Sequence, residues 1–211
     1  MTRFSGLKTI TLGAALSLTA GLALAADNTV SSDQILSALK PAGATRGLSV
    51  ATPQVDPTAK AREASFLASL RNRKTRSLSL GERDQIAEIA ATKPKIDLEI
   101  QFDYNSAALS KASMGAVQEL GKALSDPGLK GSSFVVAGYT DAIGGEAFNQ
   151  DLSERRADTI KTYLVEKYGL AGSDLVTVGY GKTRLKNPDH PTDAVNRRVQ
   201  VVNMDTKTAS K

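Results

Sequence analysis

The sequence predicts an α/β fold of the α+β kind, a two-layer sandwich in the order β-α-β-α-β-β with its helices on one face of a small mixed sheet. Three observations carry that prediction. Residues 96–102 alternate, with Ile96, Leu98, Ile100 and Phe102 on one side and Asp97, Glu99 and Gln101 on the other, the pattern of a half-buried strand. Two helical periods then alternate with two short apolar runs, at residues 134–138 and 175–180. A last apolar run at 198–202 follows a long polar loop with Gly181, Pro188 and Pro191, so the sheet ends on two successive strands.

Each element has its own signal. Ser31 and Gln34 have capping-box spacing ahead of Ile35, Leu36 and Leu39, which predicts a short amphipathic helix stopped by Pro41. Residues 42–60 carry Gly43, Gly47, Pro53 and Pro57 with little periodicity and read as an extended linker. A second helix is expected over 59–70, where Ala64, Leu67, Ala68 and Leu70 share one side; the basic run at 71–76 breaks it. Ser79 and Glu82 repeat the capping box, Ile86, Ile89 and Ala90 follow at helical spacing, and Pro94 ends the segment. That helix is expected to pack on the edge of the domain. In the sandwich, the first helix begins near Ser110, presents Met114, Val117, Leu120, Ala123 and Leu124 to the core, and stops at Asp126-Pro127-Gly128. The second spans about 149–168, with Gly169 as a left-handed cap.

Composition narrows the chemistry. The 211 residues contain no cysteine, which excludes disulfides, thiolate metal sites, a cysteine nucleophile and a lipid-modified N-terminal cysteine. The one histidine, His190, cannot build a multi-histidine zinc site. No metal and no cofactor is expected. Gly179-Tyr180-Gly181-Lys182-Thr183 ends like a phosphate-binding loop, but Val176 stands where that loop needs its first glycine. Asp141 with Glu146 offers a carboxylate pair for sugar hydrolysis, yet nothing else in the chain supports it. The expectation is a protein that is not an enzyme.

Charge and targeting place the chain. Arg3 and Lys8 precede an apolar stretch over 10–22 and the small-residue site Ala23-Leu24-Ala25, the layout of a cleaved signal peptide. From Lys40 to Arg76 eight basic residues face two acids, whereas from Ser77 to Lys211 seventeen face eighteen. The basic balance therefore belongs to the linker. An exported chain rarely meets nucleic acid, so an anionic envelope polymer or lipid is the partner that linker would attract. The expected organisation is a signal peptide at 1–25, a basic, largely flexible linker with short helices at 26–78, a helical extension at 79–95, the sandwich domain at 96–204 and a disordered tail at 205–211.

The candidate site lies between the run at 134–138 and the helix after it. The segment 138–157 reads GYTDAIGGEAFNQDLSERRA. It places Asp141 at a strand end, Gly144 and Gly145 in a loop, and arginines on the following helix. At about 100° per residue, Asn149, Ser153, Arg156 and Ile160 share a sector, so Arg156 borders the buried face. Arg155 points away, where Asp151 four residues earlier can pair with it. A carboxylate facing a guanidinium across a glycine loop fits a zwitterion; an internal ion pair bracing the loop is the other reading.

GYTD at 138–141, NQDLSERRA at 149–157 and NRRVQV at 196–201 together resemble the OmpA-like peptidoglycan-binding domain. The resemblance covers residues 96–204 and is to a soluble exported member without barrel or lipobox. It implies that Asp141 takes the ammonium and Arg156 the carboxylate of the diaminopimelate residue of the peptidoglycan stem peptide. By the same resemblance Asn149 bonds the ligand or caps the helix, Thr140 and Leu152 line the pocket, and Arg197 or Arg198 adds a second cation. The family usually has histidine where this chain has Tyr139, which bears on any hydrogen bond to the loop. The implied function is non-catalytic tethering to the cell wall in the periplasm or at the outer membrane; an envelope adaptor, or a wall hydrolase that only docks through this domain, is the alternative.

Overall fold

The computed structural model describes residues 30–41, 57–71, 73–100, 102 and 106–205. The expected signal peptide, residues 42–56 of the expected extended linker, the turn at Asn105 and the tail from 206 lie outside the described residues; the last four linker residues, from Pro57, are helical instead. Both capping boxes form. Ser31 and Gln34 bond reciprocally at the start of α1 (Ser32–Leu39), and Ser79 and Glu82 do so at the start of α3 (Leu80–Ala91). Between them lie α2 (Pro57–Leu70) and a 3-10 turn, Thr75–Ser77. Strand β1 (Lys95–Leu98) is shorter than the alternation suggested; beyond it Phe102 only bridges Leu109. Ser110 caps a 3-10 turn that leads into α4 (Met114–Leu124), followed by β2 (Phe134–Gly138). Then come α5 (Glu146–Tyr168), closed by Gly169 at φ +64°, β3 (Leu175–Gly179) and β4 (Val199–Asn203). Among the described residues no helix is long and apolar enough to cross a membrane.

The sheet runs β1-β4-β2-β3; β2 and β3 are parallel, and β4 is antiparallel to both β1 and β2. The predicted mixed sheet is therefore present in the expected order, with α4 and α5 on one face. Successive strand residues point to opposite faces. Phe134 and Val136 of β2 pack with Val117 and Leu120 of α4 and Ala157, Ile160 and Leu164 of α5. Val135 and Ala137 point the other way and pack with Leu70, Leu78, Ile86 and Ala90.

That second cluster adds to the sequence reading. The extension helix α3 covers the opposite face of the sheet rather than its edge, and Leu70 from the end of α2 joins it. On the first face, Ile35 and Leu39 of α1 are fully buried against the core. Two helices assigned to a flexible linker thus contribute buried side chains. The physical sign was already in β2 and β3: FVVAG and LVTVG have every residue buried, which requires cover on both faces.

Candidate functional site

The site depends on how closely α5 lies on the sheet. Gly138 and Gly179 end the parallel strands, and a Cβ on either would collide with Ser153 or Glu154 of α5. Gly181, at φ +50°, donates its N–H to Ser153 Oγ at 2.8 Å. These contacts press the first turns of α5 onto the strand ends and fix where its side chains emerge. The helix begins at Glu146, with Gly145 as its N-cap, three residues before the expected start. Asn149 is accordingly no cap. Its Nδ2 donates to the Ile143 carbonyl at 2.8 Å and ties the glycine loop to the helix, with the residue 2% exposed.

Asp141 sits in the loop after β2, mostly buried. One carboxylate oxygen accepts from the Ile143 N–H at 3.1 Å, the other from Arg197 Nη1 at 2.7 Å. The Ala142 N–H donates to the Pro191 carbonyl at 2.9 Å, which ties this loop to the one before β4. Asn196 orders that second loop from inside: fully buried, it donates to the His190 carbonyl at 2.9 Å and accepts the Asn187 N–H at 2.9 Å. The NRR motif therefore supplies a scaffold residue followed by the cation.

Arg156 is 8% exposed and lies on the same helix face as the buried Leu152, four residues earlier. Its Nε donates to the Ser106 carbonyl at 3.2 Å, and its guanidinium lies 4.7 Å from the centre of the Phe102 ring. It makes no ion pair with any described residue. Burial pushes its pKa down to about 10, opposed by the negative charge of Asp141 and reinforced by the nearby charge of Arg197. Arg155 faces solvent and pairs with Asp151 at 2.8 Å, as the helical period predicted.

The structure thus brings Asp141, Arg156, Arg197, Asn149 and Leu152 around one loop cluster, with Thr140 buried beneath it. The Thr140 N–H donates to the Gly181 carbonyl at 2.9 Å, which orients the turn into Asp141. The internal ion pair considered for Asp141 exists, but with Arg197 and not with Arg156. Arg198 goes elsewhere. Its guanidinium stacks 3.8 Å over the Tyr139 ring, and its Nε lies 3.7 Å from Asp97.

Tyr139 itself belongs to the α3 side of the sheet. It stacks on Tyr180 at 5.2 Å, donates to Gln200 Oε1 at 3.4 Å, and burial pushes its pKa up to about 12. Its hydroxyl is directed to the sheet and not to the Asp141 loop. Phe102 and Ser106 were not singled out as site residues, since nothing in a lone aromatic or serine marks it as a neighbour of residue 156.

Residues 101–198 match the model of the OmpA family. The chain is 39% identical over 108 residues to outer membrane porin F of Pseudomonas fluorescens, covering 50% of this chain and 32% of that protein. It is 38% identical over 96 residues to outer membrane protein A of Klebsiella pneumoniae, covering 46% and 28%. The chain therefore spans about a third of the length of these curated relatives. Among solved structures it is similar to the OmpA-like domain of FopA1 from Francisella tularensis, with a TM-score of 0.45 and 27% identity over 51% of this chain and 70% of that one. Over residues 101–198, somewhat under half of its length, the chain is similar to the OmpA family.

Proposed function

We propose that this domain binds peptidoglycan without catalysis and tethers the protein to the cell wall, holding the diaminopimelate residue of the stem peptide between Asp141 and Arg156. One observation carries the proposal: a carboxylate at a strand end and a buried guanidinium on the facing helix lie within electrostatic reach of each other yet are not bonded. The free end of diaminopimelate offers an ammonium and a carboxylate on one carbon, which suits that spacing of opposite charges. Leu152 and the Phe102 ring supply apolar walls beside Arg156. The match of residues 101–198 to the OmpA family supports the same reading, in which the tether lies in the periplasm against the wall.

The binding energy is modest. A hydrogen bond to a charged group contributes about 1.5–3 kcal/mol, and ordering a flexible stem peptide offsets part of it. Peptidoglycan repeats the ligand many times, so retention comes from effective concentration. Co-sedimentation with purified diaminopimelate-containing peptidoglycan tests the proposal, using the wild type, Asp141→Ala and Arg156→Ala. The wild type is expected to pellet and both variants to stay in the supernatant with their folds intact. Equal pelleting of all three places the binding elsewhere.

A further inference from the structure

Resting on that reading of the site, we propose that Arg197 is an internal competitor for the ligand's ammonium. Ligand binding is then an exchange of partners at Asp141, and the exchange makes the site select a group that carries both charges.

Both carboxylate oxygens of Asp141 are engaged, one by the Ile143 N–H and the other by Arg197 at 2.7 Å. Each oxygen keeps a second lone pair, but an incoming ammonium meets a guanidinium already bonded to the carboxylate, and the two cations compete for its charge. Arg197 is suited to leave. Its side chain is 45% exposed, against 11% for Asp141, and a half-exposed pair is weak because water solvates the ions when they part. It has room as well, since Arg197 lines a cavity of about 420 Å³ to whose walls Asp141 does not contribute. Glu99, exposed and without an ion pair or side-chain hydrogen bond to any described residue, lines that same cavity.

Charge accounting then favours one class of ligand. In the free protein Asp141 and Arg197 pair, while Arg156 and Glu99 have no ionic partner among the described residues. After exchange the ammonium meets Asp141, the ligand carboxylate meets Arg156, and Arg197 passes across the cavity to Glu99. All the charges are then paired. A ligand with an ammonium alone, such as a lysine side chain, displaces Arg197 and leaves the buried Arg156 as it was. Amidation of the diaminopimelate carboxylate removes the same compensation. Arg197 therefore acts as a specificity residue: it raises the threshold for a simple amine.

The test uses chemical-shift titration of the full chain with two soluble tripeptide muropeptides, one with diaminopimelate and one with lysine at the third position. Arg197→Gln keeps the length and polarity of the side chain and removes the competitor. Arg155→Gln removes a neighbouring cation that makes no contact with Asp141. Arg197→Gln is expected to raise affinity for the lysine peptide about fivefold or more, and Arg155→Gln to change it less than about twofold. Unchanged or weaker lysine-peptide binding in Arg197→Gln overturns the competitor. Glu99→Gln is expected to weaken diaminopimelate binding about twofold to threefold; unchanged binding overturns the passage to Glu99. Failure of the underlying site reads differently, as a wild type that ignores the diaminopimelate peptide or an Asp141→Ala variant that binds it equally well.

Discussion

Glu154 and Arg156 stand two residues apart on α5, each less than a tenth exposed, and the protein treats them in opposite ways. Glu154 accepts from Arg83 Nη1 at 2.8 Å and from Gln150 Nε2 at 2.7 Å, so a charge on α3 and an amide on its own helix neutralise it. It is a brace between the extension and the domain. Arg156 has one backbone carbonyl, an aromatic face, and a carboxylate nearby that is bonded to another arginine. Burial alone does not mark a binding site, because both residues share it. What separates them is that the described residues complete the charge of Glu154 and not that of Arg156.

The comparison breaks most visibly at the brace. Glu154→Ala leaves Arg83 facing a mostly buried gap and is expected to cost roughly 3–5 kcal/mol in urea unfolding, while folded protein still pellets with peptidoglycan. A variant as stable as the wild type would put Glu154 in the same class as Arg156. At the other residue the effects reverse. Arg156→Met keeps the apolar stem and is expected to leave the urea midpoint nearly unmoved, but to weaken diaminopimelate-peptide binding by about 1.5–3 kcal/mol, roughly 10- to 150-fold. A large loss of stability with intact binding would make Arg156 a brace too.

Gly138→Ala sharpens the contrast by striking the support that both share. The new methyl meets the Ser153 carbonyl, so α5 must lift from β2, at an expected cost of about 1–3 kcal/mol. Stability and ligand affinity are expected to fall together in this variant; loss of only one would mean that the two regions do not share the helix seat. The smallest effect is with pH. Burial holds Arg156 near 10 in the folded protein, below its ordinary value, and the protonated form binds a carboxylate. Affinity is therefore expected to be level between about pH 6 and 9 and to fall as pH rises past about 10. Because the folded state releases this proton first, the same titration adds stability as pH rises through that window. Subtracting the Arg156→Met stability profile from that of the wild type isolates it, and a flat difference would mean that burial does not perturb the group.

Much of the fold and part of the site were legible before any coordinates. Gly169 as a left-handed cap, the two capping boxes and the pairing of Arg155 with Asp151 all follow from spacing within one turn of helix. The choice of Arg156 over Arg155 as the buried arginine came from the same period. Arg197 and Arg198 could not be separated in that way. They adjoin β4, where neighbours point to opposite faces, and which side held Asp141 depended on strand pairing far away in sequence. The helices α1 to α3 were visible as helices, but their partners were not, since an apolar stripe states that something covers it and not what.

The sequence by itself determined the periods, the caps, the order β-α-β-α-β-β and which arginine on α5 turns inward. Local sterics and side-chain spacing settle these within a few residues. Only the tertiary structure decided that α3 covers the second face, that Tyr139 directs its hydroxyl to the sheet, and that Asp141 bonds Arg197 while Arg156 has no ionic partner among the described residues. Each of those depends on contacts between segments some forty or more residues apart, where sheet register and the seat of α5 on Gly138 and Gly179 set which groups meet.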